Sequence, residues 1–134
     1  MKDLVHSIAP VQSLAPAATN ASRNGTGVDL QGYEGAIVEV SAGAWTDGSH
    51  TPKIQESSDN STWNDVAAAD QIGSFTAVTS SGTASNVQTV SYIGSKRYIR
   101  AVITVSGATT GALLGANVLK GHARVKPAGT TLSP

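Results

Sequence analysis

The chain of 134 residues contains no cysteine. This removes disulfides, thiol nucleophiles and thiolate metal sites together, and sets the chain apart from small secreted domains, which are usually cross-linked. Charge is scarce too: nine basic and nine acidic residues make 13% of the chain and cancel. With neither a basic stripe nor an acidic tail, no nucleic-acid partner is expected. No apolar run approaches the roughly 18 residues of a membrane-spanning helix, so no membrane partner is expected either. Aromatic residues make up only 4%, which leaves few platforms for a sugar-binding site. Lys2 and the apolar residues after it resemble a leader only loosely, because Asp3, His6, Ser7, Pro10, Gln12 and Ser13 interrupt the apolar stretch. The glycosylation-type triplets at Asn20, Asn24 and Asn60 are accordingly read as products of an Asn/Ser/Thr-rich composition.

What is present is a period of two. Ala36, Val38 and Val40 share one face of a strand whose other face carries Glu39 and Ser41. In Lys96-Arg-Tyr-Ile-Arg-Ala-Val-Ile-Thr-Val105 the residues Ile99, Ala101, Ile103 and Val105 form an apolar face, and Tyr98, Arg100, Val102 and Thr104 the opposite one. Short strands are also expected at Gly27–Leu30, Lys53–Ser57, Trp63–Val66, Val87–Tyr92 and Gly111–Leu119, with one helical turn at Ala67–Gln71. Ser58–Thr62 reads as a hairpin loop, and Gly43–His50 as a loop carrying Trp45. Turn signals recur every eight to twelve residues or so, the spacing of a sandwich or barrel. The fold expected is all-β: a single-domain antiparallel β-sandwich, jelly-roll-like, over residues 26–126. An extended N-terminal arm over 1–25 precedes it, lying along a partner or packed on an edge strand, and a flexible tail follows over 127–134.

The chemistry-bearing residues form no catalytic pattern. His6, His50 and His122 lack metal-ligand spacing and are expected at the surface. Asp59, Asp65 and Asp70, with Asn60 and Asn64, surround the Trp63 hairpin, but their spacing departs from a calcium loop; turn capping is the expected role. Glu34 with Glu39, or Glu56 with Asp65, would be the carboxylate pairs of a glycosidase, yet nothing marks one member as buried. Trp45 is expected in structural packing or an interface rather than as a glycan platform, and Trp63 and Tyr98 as core anchors. The chain is therefore expected to be no enzyme and to need no cofactor and no metal. A surface made largely of Ser, Thr, Asn, Gly and Ala suits close, neutral protein–protein contact.

Ile54-Gln-Glu-Ser-Ser-Asp-Asn-Ser-Thr-Trp63 taken with Gly94-Ser-Lys-Arg-Tyr-Ile-Arg100 resembles the small head proteins of tailed bacteriophages, over roughly residues 27–120. The resemblance implies a sandwich or jelly roll that decorates or cements the capsid by bridging major capsid subunits. It further implies a homo-oligomer, dimer or trimer, on the capsid exterior of the virion, made in the host bacterial cytoplasm. The same two motifs also resemble discoidin-type lectin sandwiches, which carry a Ser-x-Asp-Gly-x-x-Trp hairpin and a later Arg-Tyr-Ile-Arg strand; here Asn60 stands in the glycine's place and the flanking cysteines are missing. That second resemblance implies a carbohydrate- or host-surface-binding module, such as a tail-associated adhesion domain.

Overall fold

The computed structural model describes residues 5–80 and 86–123. Ten strands follow in chain order: β1 (Ile8–Thr19), β2 (Arg23–Asn24), β3 (Val28–Asp29), β4 (Tyr33–Trp45), β5 (Ser49–Ser57), β6 (Asn64–Asp65), β7 (Gln71–Ile72), β8 (Val87–Tyr92), β9 (Tyr98–Ser106) and β10 (Ala112–Ala123). A single 3₁₀ turn, Ala68–Asp70, precedes β7, where the sequence leads one to expect a helical turn.

The strands form two antiparallel sheets. Sheet A has the order β1-β10-β4-β8-β7; sheet B has β2-β9-β5-β6, with β3 also on β9. If β2 and β3 are taken as one interrupted strand along β9, and the two-residue β7 is set aside, eight strands divide four and four between the sheets in jelly-roll order. The expected all-β sandwich is therefore the observed fold. Its core lies where the inner faces meet, and the period-two pattern supplies it: Val38, Val40, Ile54, Val90, Ile99, Ile103, Leu114 and Val118 are almost wholly buried. Tyr92 is the one aromatic side chain buried with them, and Trp45 and Phe75 pack against the margin.

The arm expected over residues 1–25 takes another form from Ile8 to Thr19. These residues are β1, the edge strand of sheet A, paired with β10 from Ile8↔Gly121 to Thr19↔Ala112. Pro10 and Pro16 are tolerated because an edge strand needs hydrogen bonds on one side only. Two register shifts, around Ser13 and around Ala15–Pro16, mark where the strand bulges. Both bulges are tied to the neighbouring sheet. Ser13 Oγ donates to Thr26 O (3.0 Å) and accepts from Ala101 N (3.1 Å), while Thr26 N donates to Ser13 O (2.7 Å). Gly25 sits against Ser13 and the Ala101 carbonyl so closely that a Cβ could not be accommodated. At the second bulge the Arg23 guanidinium reaches Ala15 O (2.7 Å) and Leu114 O (3.2 Å). The tail expected over 127–134 lies outside the described residues.

Two further expectations change. Strand β4 runs to Trp45 and β5 begins at Ser49, so the loop expected over Gly43–His50 shrinks to the turn Thr46–Gly48. Asp47 fixes that turn against the β9–β10 connection, accepting from the N–H groups of Gly111 (2.6 Å), Thr110 and Thr109. Those three donors, Gly111 foremost, hold the Asp47 carboxyl below the ordinary carboxylate value.

Candidate functional site: the outer faces of the two sheets

The two sequence motifs meet on the outer face of sheet B. Antiparallel register sets Gln55 beside Arg100 and beside Asp65, with Lys53 next to them along β5. The Arg100 guanidinium donates through Nε (2.9 Å) and Nη2 (2.7 Å) to Gln55 Oε1, and Gln55 Nε2 donates to Asp65 Oδ1 (2.9 Å). Lys53 Nζ completes the row at 3.0 Å from the same carboxylate oxygen. Arg100 also lies over the Trp63 ring, 4.5 Å from its centroid, a cation–π contact. Trp63 is thus a half-buried side chain on the outside of the sheet, and Tyr98, half-buried with Arg97 at 5.1 Å over its ring, is another. Neither is the core anchor the sequence suggests. Their cationic neighbours keep both rings at the solvent boundary, and Tyr92 takes the inner position.

The Trp63 hairpin is turn chemistry throughout. Asp59 Oδ1 accepts from Thr62 N, Ser61 N and Ser57 Oγ, each at 2.9 Å, and these donors, Thr62 and Ser61 first, hold its carboxyl below the ordinary carboxylate value. Asn60 has φ 61°, a left-handed conformation that asparagine tolerates and that glycine would adopt with ease. Asp29 is gripped by Arg97 through two parallel contacts of 2.8 and 2.9 Å, and Asp65 by Gln55 and Lys53; both carboxyls are held below their usual range by these partners.

The structure separates the carboxylate pairs. Glu56 faces inward and accepts the Tyr92 hydroxyl (2.8 Å), whereas Asp65 lies outward on the other side of the sheet. Burial, and then the Glu56 contact, raise the Tyr92 phenol well above its ordinary value. Glu34 and Glu39 are five residues apart on one uninterrupted ladder, hence on opposite faces of β4. Trp45 is half-buried at the core margin, its Nε1 donating to Gly48 O at 2.9 Å; the ring packs structurally. Among the histidines, His6 and His122 are exposed, but His50 is wholly buried. It shares the inner face of β5 with Pro52 and Ile54, and its backbone bridges Val78. His50 Nε2 meets Asp47 O at 2.9 Å and so carries the proton, which leaves Nδ1 with no hydrogen-bond partner among the described residues.

The outer face of sheet A has a different chemistry. Its rows can be read across the strands from the register. One runs Pro10–Leu119–Ile37–Ser91–Ile72, the next Gln12–Asn117–Glu39–Thr89, and a third Gly115–Ser41–Val87. Glu39 is the sole charged side chain in these rows. Ile37, Ile72 and Val87 are 39%, 63% and 57% exposed, and Ile93 beside them 55%. Beyond the first row, Gly35 and Gly121 pair with one another and leave a hollow of about 570 Å³, bordered by Ile37, Leu119, Ile93 and His122. In the sequence the sign of this face is Ile37, an apolar residue in step with Glu39 and Ser41.

No protein-family model matches the chain, and no curated protein matches it. Among solved structures the chain is similar to that described as the crystal structure of PBSX exported protein XepA, with 20% sequence identity and a TM-score of 0.59 over 94% of this chain. The matched region is 41% of that protein's chain, so this chain spans about two fifths of its length. The likeness is one of fold.

Proposed function

We propose that the protein is a non-catalytic structural protein of a bacteriophage particle, one that binds the assembled capsid from outside and stabilises it by bridging major capsid subunits. The observation that carries this reading is where its polar chemistry goes. The acidic and basic groups of sheet B are engaged with one another or with turn backbone, and the candidate carboxylate pairs lie on opposite sides of their sheets. What remains to act is surface, and the outer face of sheet A, with Glu39 the one charged side chain in its rows, is the less charged of the two. The likeness to a protein of phage PBSX supports the phage connection. Stabilisation would follow from mass action: a ligand that binds only the assembled shell adds about 2.7 kcal/mol per site at a hundred times its dissociation constant. Clamping by a free arm is not part of this reading, because residues 8–19 are committed to β1.

A second reading draws on the word "exported" in the neighbour's description. It takes the sandwich as a carbohydrate- or host-surface-binding module acting outside the cell that made it. One experiment separates the two. Purified protein is mixed with undecorated capsids and, in parallel, with host cells and a glycan array. Saturable, stoichiometric capsid binding that raises the capsid's melting temperature supports the structural reading. Binding to cells or glycans with no affinity for capsids overturns it.

A further inference from the structure

We propose that the outer face of sheet A is a two-fold interface that seats a second copy of this chain, with the symmetry axis lying along the row Pro10–Leu119–Ile37–Ser91–Ile72. Three observations converge on this occupant.

The first is shape. An in-plane axis along that row sets each of its residues against its own copy and sets the row on one side against the partner's row on the other. On one side, β10 and β4 carry Gly121 and Gly35; on the other, two residues along each strand, they carry Asn117 and Glu39. The two glycines open the hollow, and the two long polar side chains stand where its mirror position would receive them. A face built for an unrelated partner has no reason to pair its smallest residues with its longest about one line.

The second is polar pairing. Glu39 of one copy would descend over Gly35 of the other. There it meets the His122 ring, whose Cδ2 stands 3.3 Å from the place a Cβ on Gly35 would take and whose nitrogens can take up a hydrogen bond from or to a neighbour. Symmetry makes this contact twice. The two Glu39 carboxylates each lie about 7 Å from the axis on opposite sides, about 14 Å apart along the strands, so neither faces its own copy.

The third is extent. Two to four inter-strand spacings in each row, over four residue pairs along the strands, make about 350 Å² in projection, which side-chain relief enlarges toward the ~800 Å² per partner of a stable complex. The exposed Ile37, Ile72 and Ile93 would form the apolar centre.

Sedimentation velocity of the full chain over about 1–100 μM should reveal a reversible dimer, and Ile37→Asp should raise its dissociation constant at least about a hundredfold while the far-UV spectrum and melting curve stay those of a folded protein. Ile37 is outward-facing and partly exposed, so this change spares the core. Glu39→Arg and His122→Asp should each weaken the dimer, and together restore it. Because the chain has no cysteine, Ile37→Cys provides a single thiol on the axis. A thiol-specific linker of about 10 Å, the sheet-stacking distance, should couple two such chains but leave Thr104→Cys, on the outside of sheet B, uncoupled. A monomer throughout the range, a trimer, a dimer indifferent to Ile37→Asp, or equal coupling from both cysteines overturns the proposal.

Discussion

The two outer faces of this sandwich solve the same problem in opposite ways. On sheet B, scarce charges are concentrated and bound to one another: Lys53, Asp65, Gln55, Arg100 and Trp63 form one chain of contacts, and Asp29 with Arg97 another. On sheet A, whose strands are longer, the rows hold apolar and small residues with Glu39 alone among them. A half-exposed face filled by its own ion pairs has little left to offer a neighbour. A face with few polar demands loses little by being covered. In a chain of zero net charge, the arrangement of charge distinguishes its surfaces more than the amount does.

Several measurements would break or sharpen this contrast. The largest effect lies beneath both faces. Leu114→Ala under sheet A and Ile103→Ala under sheet B remove wholly buried side chains, and each should cost about 2–5 kcal/mol in urea denaturation. A cost near zero for either would mean that the two sheets do not share one core. Ser13→Ala comes next, at about 1–3 kcal/mol, since it strips a buried acceptor from Ala101 N and a donor from Thr26 O.

Acid should then discriminate between the faces. Asp29, Asp47, Asp59 and Asp65 all have carboxyls lowered from 3.8 in the folded protein. Their contribution is therefore complete above the ordinary value and is lost as pH falls through the lowered ones. Stability should decline as the pH drops below about 4, and amide exchange should rise first around the Asp59 hairpin, β3 and the Asp47-held start of β10, with the centre of β10 protected longest. Asp59→Asn should flatten the decline. Simultaneous loss of protection in the centre of β10 would place the acid-sensitive element elsewhere. The smallest effect belongs to the exposed pair: Lys53→Ala should change stability by less than about 1 kcal/mol, and by less still at high salt. A larger loss would show that the sheet B network is cooperative.

Much of the fold could be read from residue order because burial on one side imposes a period of two. β8 falls on Val87–Tyr92 as expected, and the apolar face of β9 is the buried one. β1 escaped because its signal is weak where structure permits it to be: an edge strand can hold two prolines and a run of alanines, and those same residues describe an arm. His50 lacks a clear signal in the sequence for want of context. Surrounded by Gly, Ser and Thr it looks like a loop residue, yet extending the alternation back from Ile54 through Pro52 places it inside. Trp63 erred the other way, because an aromatic ring stacked under an arginine satisfies its apolar surface without entering the core. The outer face of sheet A could not be assembled from sequence at all, because its rows join residues from five strands.

The edges of the sandwich decide how copies of it can meet. Along β1, Pro10 and Pro16 withhold donors, and Arg23 occupies the carbonyl of Ala15. The other margins, β2, β6 and β7, are two residues long. Among the described residues these edge strands give a strand from another molecule little on which to continue the ladder, which disfavours runaway cross-β growth even where molecules are crowded together. Association is thereby confined to faces, where it saturates at a fixed number of neighbours.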